Sequence, residues 1–425
     1  MNDTSDFSRS PLPLYARVLL GVCLGLGGLL ALGWHYADGL VHVRPVRRPL
    51  FPTRVSRVEP GPDGTTLVTL TRTPSTLRAG VLRLEWDAPG GVQFAQLGPL
   101  LGEGRTTVTR ALQEEDSPLR VGQWVRASTI GLGTPAHRGL PHLDVTLPAE
   151  HGPMPSWLIP AEENTLESAA GTDWIIVTHG YGGLRQDALR ILPTLKRLGL
   201  TSLTITYRNA EGAPRTPQRV HRLSAEEWQD LQGAVEYAQR HGARRILLYG
   251  FSMGGSISLA FLRYSPLAAL VSGVLLDSPA LEWRSLITHH AVRYRIPLPF
   301  VLSRVVAWLT VVKSKQDFDA VDHLSVMDHF QTPILLLHGS ADKTVPVGQV
   351  ETFAHARPDI VEYHRFEGAE HVRPWNMDPS RYERAVEGFV RRVLDQPGLI
   401  PAQPAVDRHS TRPSSRHPSE ENQHA

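Results

Sequence analysis

The stretch from Arg244 to Gly255, Arg-Arg-Ile-Leu-Leu-Tyr-Gly-Phe-Ser-Met-Gly-Gly, leaves the chain the fewest choices of fold. Ile246 to Tyr249 is an apolar run of strand length. Gly250-x-Ser252-x-Gly254 follows, with a further glycine at 255, and Ser256 to Tyr264 reads as a helix. In the order strand, sharp turn, helix, the central serine occupies a strained turn and its hydroxyl stands clear of the backbone. Gly250 and Gly254 suit that turn, because a side chain at either would collide with a neighbouring strand or helix. The helix start sets backbone N–H groups and the positive end of the helix dipole beside Ser252. By itself the five-residue match also fits an ordinary strand-to-helix turn, so its meaning depends on what surrounds it.

Around it, strands and helices alternate. Leu143 to Pro148 and Met154 to Ile159 form an expected antiparallel pair about the His151-Gly152-Pro153 turn. Buried-type strands follow at Trp174–Thr178, Ser202–Tyr207, Gly273–Asp277, Pro333–His338 and Val361–Phe366. Asp187 to Leu198 is an expected helix. So is Ser224 to Arg240, with Ser224 and Glu227 as a capping box and Gly242 as its stop. A last helix runs from Asp378-Pro379 to about Leu394, with proline at its first position. Alternation with apolar strands predicts an α/β fold, a mostly parallel sheet covered by helices on both faces, over residues 141–395.

A serine hydroxyl is a poor nucleophile at neutral pH and needs a base, itself oriented by a third group. His338-Gly-Ser-Ala-Asp342 puts Asp342 on the loop after one buried strand, and Gly368-Ala-Glu-His371 puts His371 on the loop after the next. The carboxyl ends of parallel strands are where such sheets bind ligands. Ser252, Asp342 and His371 are therefore the candidate triad, with Asp277 the rival acid. His179 and His338, each before a glycine at a strand end, read as structural. The Gly-rich run His179-Gly-Tyr181-Gly-Gly offers the backbone N–H of Tyr181 as one oxyanion donor, and Met253, after the serine, offers the second.

These runs carry a resemblance. Val-Thr-His-Gly-Tyr-Gly-Gly, Gly-Phe-Ser-Met-Gly-Gly, Leu-Leu-Asp-Ser-Pro, Leu-Leu-His-Gly-Ser-Ala-Asp-Lys-Thr-Val-Pro and Gly-Ala-Glu-His make residues 143–394 similar to the α/β-hydrolase superfamily. Within it the chain resembles bacterial serine aminopeptidase-like and esterase-like hydrolases with an amino-terminal membrane helix. The resemblance implies a serine hydrolase that cleaves a carboxylic ester, thioester or amide through an acyl-enzyme on Ser252, without cofactor or metal. An acyltransferase using the same triad and a non-catalytic binding protein are the alternatives. It also implies a helical cap at residues 281–330, where Ile296 to Val312 is apolar apart from Ser303 and Arg304. That segment is either a cap helix packed on the core, or an apolar wall for an acyl chain or a surface touching the bilayer.

Upstream, residues 1–11 are polar and expected to be disordered. Residues 12–43 contain an uncharged run, Val18 to Trp34, flanked by Tyr15, Trp34 and Tyr36, long enough to span a bilayer as a single anchor. A cleaved signal peptide and a buried core helix are the other readings. The arginines after the run would hold the large domain in the cytoplasm, yet hydrolases anchored this way often lie outside, so the side stays open. Residues 44–140 read as an Arg/Pro-rich linker followed by a small β module, with alternating runs at Thr65–Thr71, Val81–Trp86 and Thr106–Arg110. On this reading the anchor is separable, and removing residues 1–43 leaves the catalytic domain intact. From residue 396 onward the chain is Pro, Ser, His and charge, an expected disordered tail. A net charge of +2 with dispersed basic residues gives no sign of a nucleic-acid partner, and one cysteine, Cys23, allows no internal disulfide. The expected partners are a small acyl substrate and the bilayer, and oligomeric state is not encoded in any motif.

Overall fold

A computed structural model of the chain describes residues 13–42, 51–89, 91–129, 131, 133–162 and 165–395. The expected disordered ends at 1–11 and 396–425, and the first part of the expected linker, lie outside these residues. The described chain opens with helix α1 (Leu14–Val41). Six strands follow: β1 (Thr53–Pro60), β2 (Thr66–Thr71), β3 (Leu82–Ala88), β4 (Gly91–Glu103), β5 (Thr107–Glu115) and β6 (Trp124–Ser128). They close into a barrel in the order β1-β2-β5-β4-β3-β6. Alternation explains it: Val55, Val68, Leu70, Leu84, Trp86 and Leu97 point into one small core. The Arg/Pro-rich stretch up to Pro60 is thus not linker throughout, because β1 pairs with both β2 and β6 to close the barrel.

The second body holds the remaining elements: β7 (Leu143–Leu147), β8 (Met154–Ile159), β9 (Asp173–Thr178), α2 (Leu192–Arg197), β10 (Leu200–Ile205), α3 (Trp228–Arg240), β11 (Arg245–Phe251), α4 (Met253–Tyr264), β12 (Val271–Asp277), α5 (Trp283–Arg293), α6 (Pro299–Ser314), β13 (Ile334–Gly339), α7 (Val347–Ala356), β14 (Val361–Phe366), α8 (Pro374–Met377) and α9 (Pro379–Asp395). The eight strands lie in the order β14-β13-β12-β11-β9-β10-β8-β7. From β14 to β10 every neighbour is parallel, and β8 and β7 are antiparallel additions. Both faces are covered, as the continuous apolar strands require. Trp174, Ile176, Leu248, Leu276 and Leu336 pack toward α3, α4 and α7, while Ile175, Val177, Leu247, Leu275 and Leu335 pack toward α2 and α9.

Two helix starts differ from the sequence reading. The expected helix from Asp187 is a 3₁₀ segment, Arg185–Arg190, that passes into the short α2. The expected capping box does not start α3, which begins at Trp228. The buried Glu227 carboxylate makes its half of that box, accepting the N–H of Ser224 (2.9 Å), and also accepts the N–H of Arg222 (2.7 Å), while Ser224 is held at φ 89° in a turn before the helix and its hydroxyl makes no return bond.

The amino-terminal helix is not a free tether. Gly33, Ala37 and Val41, four residues apart, form its buried stripe. Gly33 allows α6 to approach so closely that a Cβ there would lie 2.7 Å from Val305 Cγ1. Ala37 clusters with Leu302, Val306 and Leu309 of α6. Lys313 stands 4.0 Å from the Trp34 ring centroid and pairs with Asp38. The barrel is tied on separately: Val81 N–H donates to the carbonyl of Asn376 in α8 (2.6 Å), and the Asn376 amide donates to the carbonyl of Val81 (3.0 Å).

Candidate active site

Ser252 occupies the turn between β11 and α4 at φ 52°, ψ −116°, a strained backbone for a residue with a side chain. Two glycines permit it. A Cβ at Gly250 would lie 2.4 Å from backbone atoms of Gly254, and one at Gly254 would lie 2.2 Å from the Thr178 carbonyl oxygen. The Ser252 N–H donates to the Asp277 carbonyl at 2.8 Å, fixing the turn to β12.

The hydroxyl oxygen of Ser252 lies 2.9 Å from His371 Nε2. His371 Nδ1 lies 2.7 Å from Asp342 Oδ2. The other Asp342 oxygen accepts the N–H groups of Thr344 (2.8 Å) and Val345 (2.9 Å), which locks the carboxylate plane. The side chain of Asp342 has no exposed surface, whereas His371 keeps 22%. Burial alone would raise the Asp342 pKa, but the bond from His371, the positive potential of His371 and His338, and the Val345 N–H outweigh it and hold the carboxyl below its usual range. The three groups thus form one hydrogen-bonded chain, able to draw the serine proton onto the imidazole and to hold the imidazole proton on Nδ1.

Asp277 is placed differently. It is fully buried at the end of β12, where Oδ2 accepts the Tyr382 hydroxyl (2.8 Å) and Oδ1 accepts the Ser278 hydroxyl (2.9 Å). Burial pushes its pKa up despite Arg190 and these bonds. Its part lies beneath the turn: its carbonyl holds Ser252, and Ser278 Oγ accepts the N–H of Val372 (3.1 Å), next to His371. His179 is buried, donates Nδ1–H to the Gly180 carbonyl (2.9 Å) and stacks on Tyr207. Burial lowers its pKa to about 4. His338 packs behind Asp342, with Nε2 3.1 Å from the Val345 carbonyl and 3.4 Å from Asp342 Oδ2.

Tyr181 and Met253 flank the serine. A Cβ at Gly180 would lie 3.0 Å from Ser252 Cβ, so the backbone just before Tyr181 runs close to the serine, and Tyr181 lines the same cavity. Met253 is the first residue of α4, whose opening N–H groups have no carbonyl within the helix to bond. One supporting residue was not singled out from sequence. Asp187 sits beside this loop, 2.5 Å from where a Gly183 Cβ would be, and burial foremost raises its pKa to about 6 against the pull of Arg190.

A cavity of about 490 Å³ opens over Ser252 and His371. α5 and α6 supply much of its wall, through Trp283, Leu286, Ile287, Leu302 and Val306. Beside them, α1 adds His35, Tyr36, Gly39 and Leu40, which the sequence reading does not place at the site. The Tyr181 hydroxyl reaches the Gly39 carbonyl (3.4 Å), and the His221 N–H donates to the Val41 carbonyl (2.7 Å). A small-residue stripe at Gly33 and Ala37 was the available signal, but it does not name its partner. Among the described lining residues there is no Asp, Glu, Lys or Arg. Among the described residues no group of three or more His, Cys, Asp or Glu is arranged to hold a metal ion.

Residues 219–396 match the model of the prolyl oligopeptidase family, and residues 54–128 match a family described as a domain of unknown function (DUF8805). No curated protein matches the chain. Among solved structures, an esterase from Pyrococcus furiosus is 21% identical, with 62% of this chain and 95% of that chain covered at a TM-score of 0.49. The protein Est1E from Butyrivibrio proteoclasticus, solved with ferulic acid bound, is 16% identical over 59% of this chain and 99% of its own, at a TM-score of 0.46. A thermophilic esterase from Thermogutta terrifontis is 18% identical over 59% and 98%, at 0.42. The parallel sheet order, the strained serine turn at the carboxyl end of β11 and the family match over residues 219–396 make this chain a serine hydrolase-type member of the α/β-hydrolase superfamily.

Proposed function

We propose that the protein is a membrane-anchored serine hydrolase that forms an acyl-enzyme on Ser252, with His371 as base, Asp342 as the group that orients it, and the backbone N–H groups of Tyr181 and Met253 as the oxyanion hole. The observation that carries this is the unbroken path Ser252 Oγ, His371 Nε2, His371 Nδ1, Asp342 Oδ2, at 2.9 and 2.7 Å. In the first half-reaction Ser252 Oγ bonds to the acyl carbon while His371 Nε2 takes its proton. The tetrahedral oxyanion points at the two N–H groups, the bond to the leaving group breaks, and His371 returns the proton to it. Water then repeats the sequence, releasing the acid and restoring Ser252.

The cavity favours the substrate's acyl side. Its described lining carries no charged side chain of the Asp, Glu, Lys or Arg type to pair with a peptide terminus, and apolar residues dominate it, which supports an ester or thioester over a charged peptide. Anchoring rests on α1: 28 residues, of which about 20 are enough to cross the hydrocarbon. A fluorophosphonate probe tests the reading. Full-length protein in detergent should label and hydrolyse para-nitrophenyl acetate, and Ser252→Ala should do neither. Labelling or ester hydrolysis that persists in Ser252→Ala removes the assignment.

A further inference from the structure

We infer that the substrate is a membrane-resident acyl lipid, whose chain enters the cavity from the bilayer past a face shared by α1 and α6. This rests on the serine-hydrolase reading above and narrows it to a substrate class.

The first observation is the geometry of α6. Its outward residues Phe300, Val301, Trp308, Val311 and Val312 are 42–64% exposed. At 100° per residue they fall with Arg304 in one stripe of about 120°. Five of the six side chains in the solvent-facing stripe are therefore apolar, the inverse of a soluble surface helix. Leu298, just before the helix, is 66% exposed. Arg304 in the stripe and Lys315 just past the helix are exposed and long enough to reach a phosphate at the headgroup level.

The second observation is what this face continues. α1 packs on α6 from Leu29 to Asp38. Its uncharged run, Val18 to Trp34, begins just after Arg17 and with its flanking turns matches the hydrocarbon thickness, leaving the last turns, up to Val41, at the boundary. Gly33, near the end of that run, is the residue in tight contact with Val305 and Leu309 of α6. Trp34 and Tyr36, both partly exposed, sit where interfacial aromatics belong. Once α1 spans, α6 is held at the membrane surface, and its apolar stripe has a bilayer to face.

The third observation joins the face to the chemistry. The turns of α1 that emerge from the bilayer, His35, Tyr36, Gly39 and Leu40, line the same cavity as Ser252 and His371. The inward side of α6, through Leu302 and Val306, lines it too. One side of each helix is thus turned to the reacting serine and another to lipid. A chain entering along the lipid-facing side of this packed pair reaches Ser252 without crossing water, and the cavity volume falls within the range of pockets that hold a small ligand. A water-soluble ester would gain nothing from this arrangement.

The test uses full-length protein in vesicles of phosphatidylcholine and phosphatidylglycerol, given para-nitrophenyl acetate in solution or para-nitrophenyl palmitate in the bilayer. The readout is the ratio of palmitate to acetate kcat/KM. Two changes should each lower it about tenfold or more: Leu40→Trp, which fills the cavity from the α1 side, and the paired Phe300→Ser, Trp308→Ser, which makes the outer stripe polar without touching the core. In parallel, a fluorophore on Phe300→Cys in a Cys23→Ser background should be quenched by doxyl-labelled lipid. A ratio that the surface pair leaves within about twofold, or a fluorophore that doxyl lipid does not quench, overturns the inference. Loss of acetate hydrolysis in the unmodified protein would instead sink the serine-hydrolase reading itself.

Discussion

Asp342→Asn is the sharpest test of the proposed triad, because the structure dictates how asparagine would sit. The Thr344 and Val345 N–H groups point at one carboxylate oxygen from 2.8 and 2.9 Å, so they would claim the amide oxygen. That leaves the amide NH₂ in the place of Oδ2, 2.7 Å from His371 Nδ1. An NH₂ can only donate, so Nδ1 must become the acceptor and the imidazole proton moves to Nε2. Nε2 then faces Ser252 Oγ across 2.9 Å with a proton instead of a lone pair, and the base is lost. The same substitution in another serine hydrolase lowers kcat about 10⁴-fold, equivalent to about 5 kcal/mol of transition-state stabilisation, and we expect a loss of that order here. Asp277→Asn should cost less than about tenfold, since its carboxyl bonds Tyr382 and Ser278 rather than His371. Purified variants with matching far-ultraviolet dichroism and thermal unfolding, assayed for kcat/KM on para-nitrophenyl acetate, decide between them. Near-normal rates in Asp342→Asn, or a larger loss at position 277, would refute the reasoning.

Two further outcomes follow from the packing. Gly254→Ala should destabilise the fold by about 3 kcal/mol or more and abolish probe labelling, because its Cβ would lie 2.2 Å from the Thr178 carbonyl and 2.8 Å from that of His179, backbone atoms that cannot swing aside. Gly21→Ala, where a Cβ meets nothing within 4 Å, is the control, and equal melting temperatures for the two would contradict the close approach. His323 is buried, and burial, with the charge of Arg263, lowers its pKa to about 3 from an ordinary value near 6.5. The unfolded chain therefore binds a proton that the folded chain refuses. The stability this residue contributes is full above pH ~6.5 and is lost as pH falls toward the folded pKa, by about 2 kcal/mol at pH ~5. His323→Leu should flatten the pH dependence of the urea midpoint by that amount, and an unchanged dependence would show that this histidine is not held neutral.

Much of the catalytic body was legible from local pattern. Apolar runs such as Trp174–Thr178 and Pro333–His338, short and followed by glycine turns, read as strands buried on both faces, and that property puts the loops after them at one edge of a parallel sheet. Ser252, Asp342 and His371 each follow such a strand, so their shared edge could be read before any distance was known. The Gly250 and Gly254 spacing likewise announced a turn in which no side chain fits, because close approach of backbones leaves its mark on the residues at the contact themselves. The sequence reading favours Asp342 over Asp277 by its place on the loop before that of His371, but no local pattern shows which way either carboxylate points. Both end buried strands, and only the direction of each carboxylate, one toward His371 and the other toward Tyr382, separates them.

What tertiary structure alone decided is where the pieces without internal pattern meet. Barrel closure needed β1 to pair at once with β2 and β6, and an Arg- and Pro-rich strand half-exposed to water shows weak alternation. The helix start at Trp228 depended on a buried carboxylate, Glu227, that takes the N–H groups of Ser224 and Arg222 in the preceding turn, without the return bond from the Ser224 hydroxyl that a full capping box needs. Above all, α1 reads from sequence as a uniform apolar cylinder, because its hydropathy is set by composition. Which of its sides touches α6 is set by shape, by Gly33 and Ala37 admitting Val305, Val306 and Leu309, residues some 270 positions away. Local sequence fixes how far a helix can reach through a bilayer, but only long-range packing brings its last turns to the wall of the cavity over Ser252.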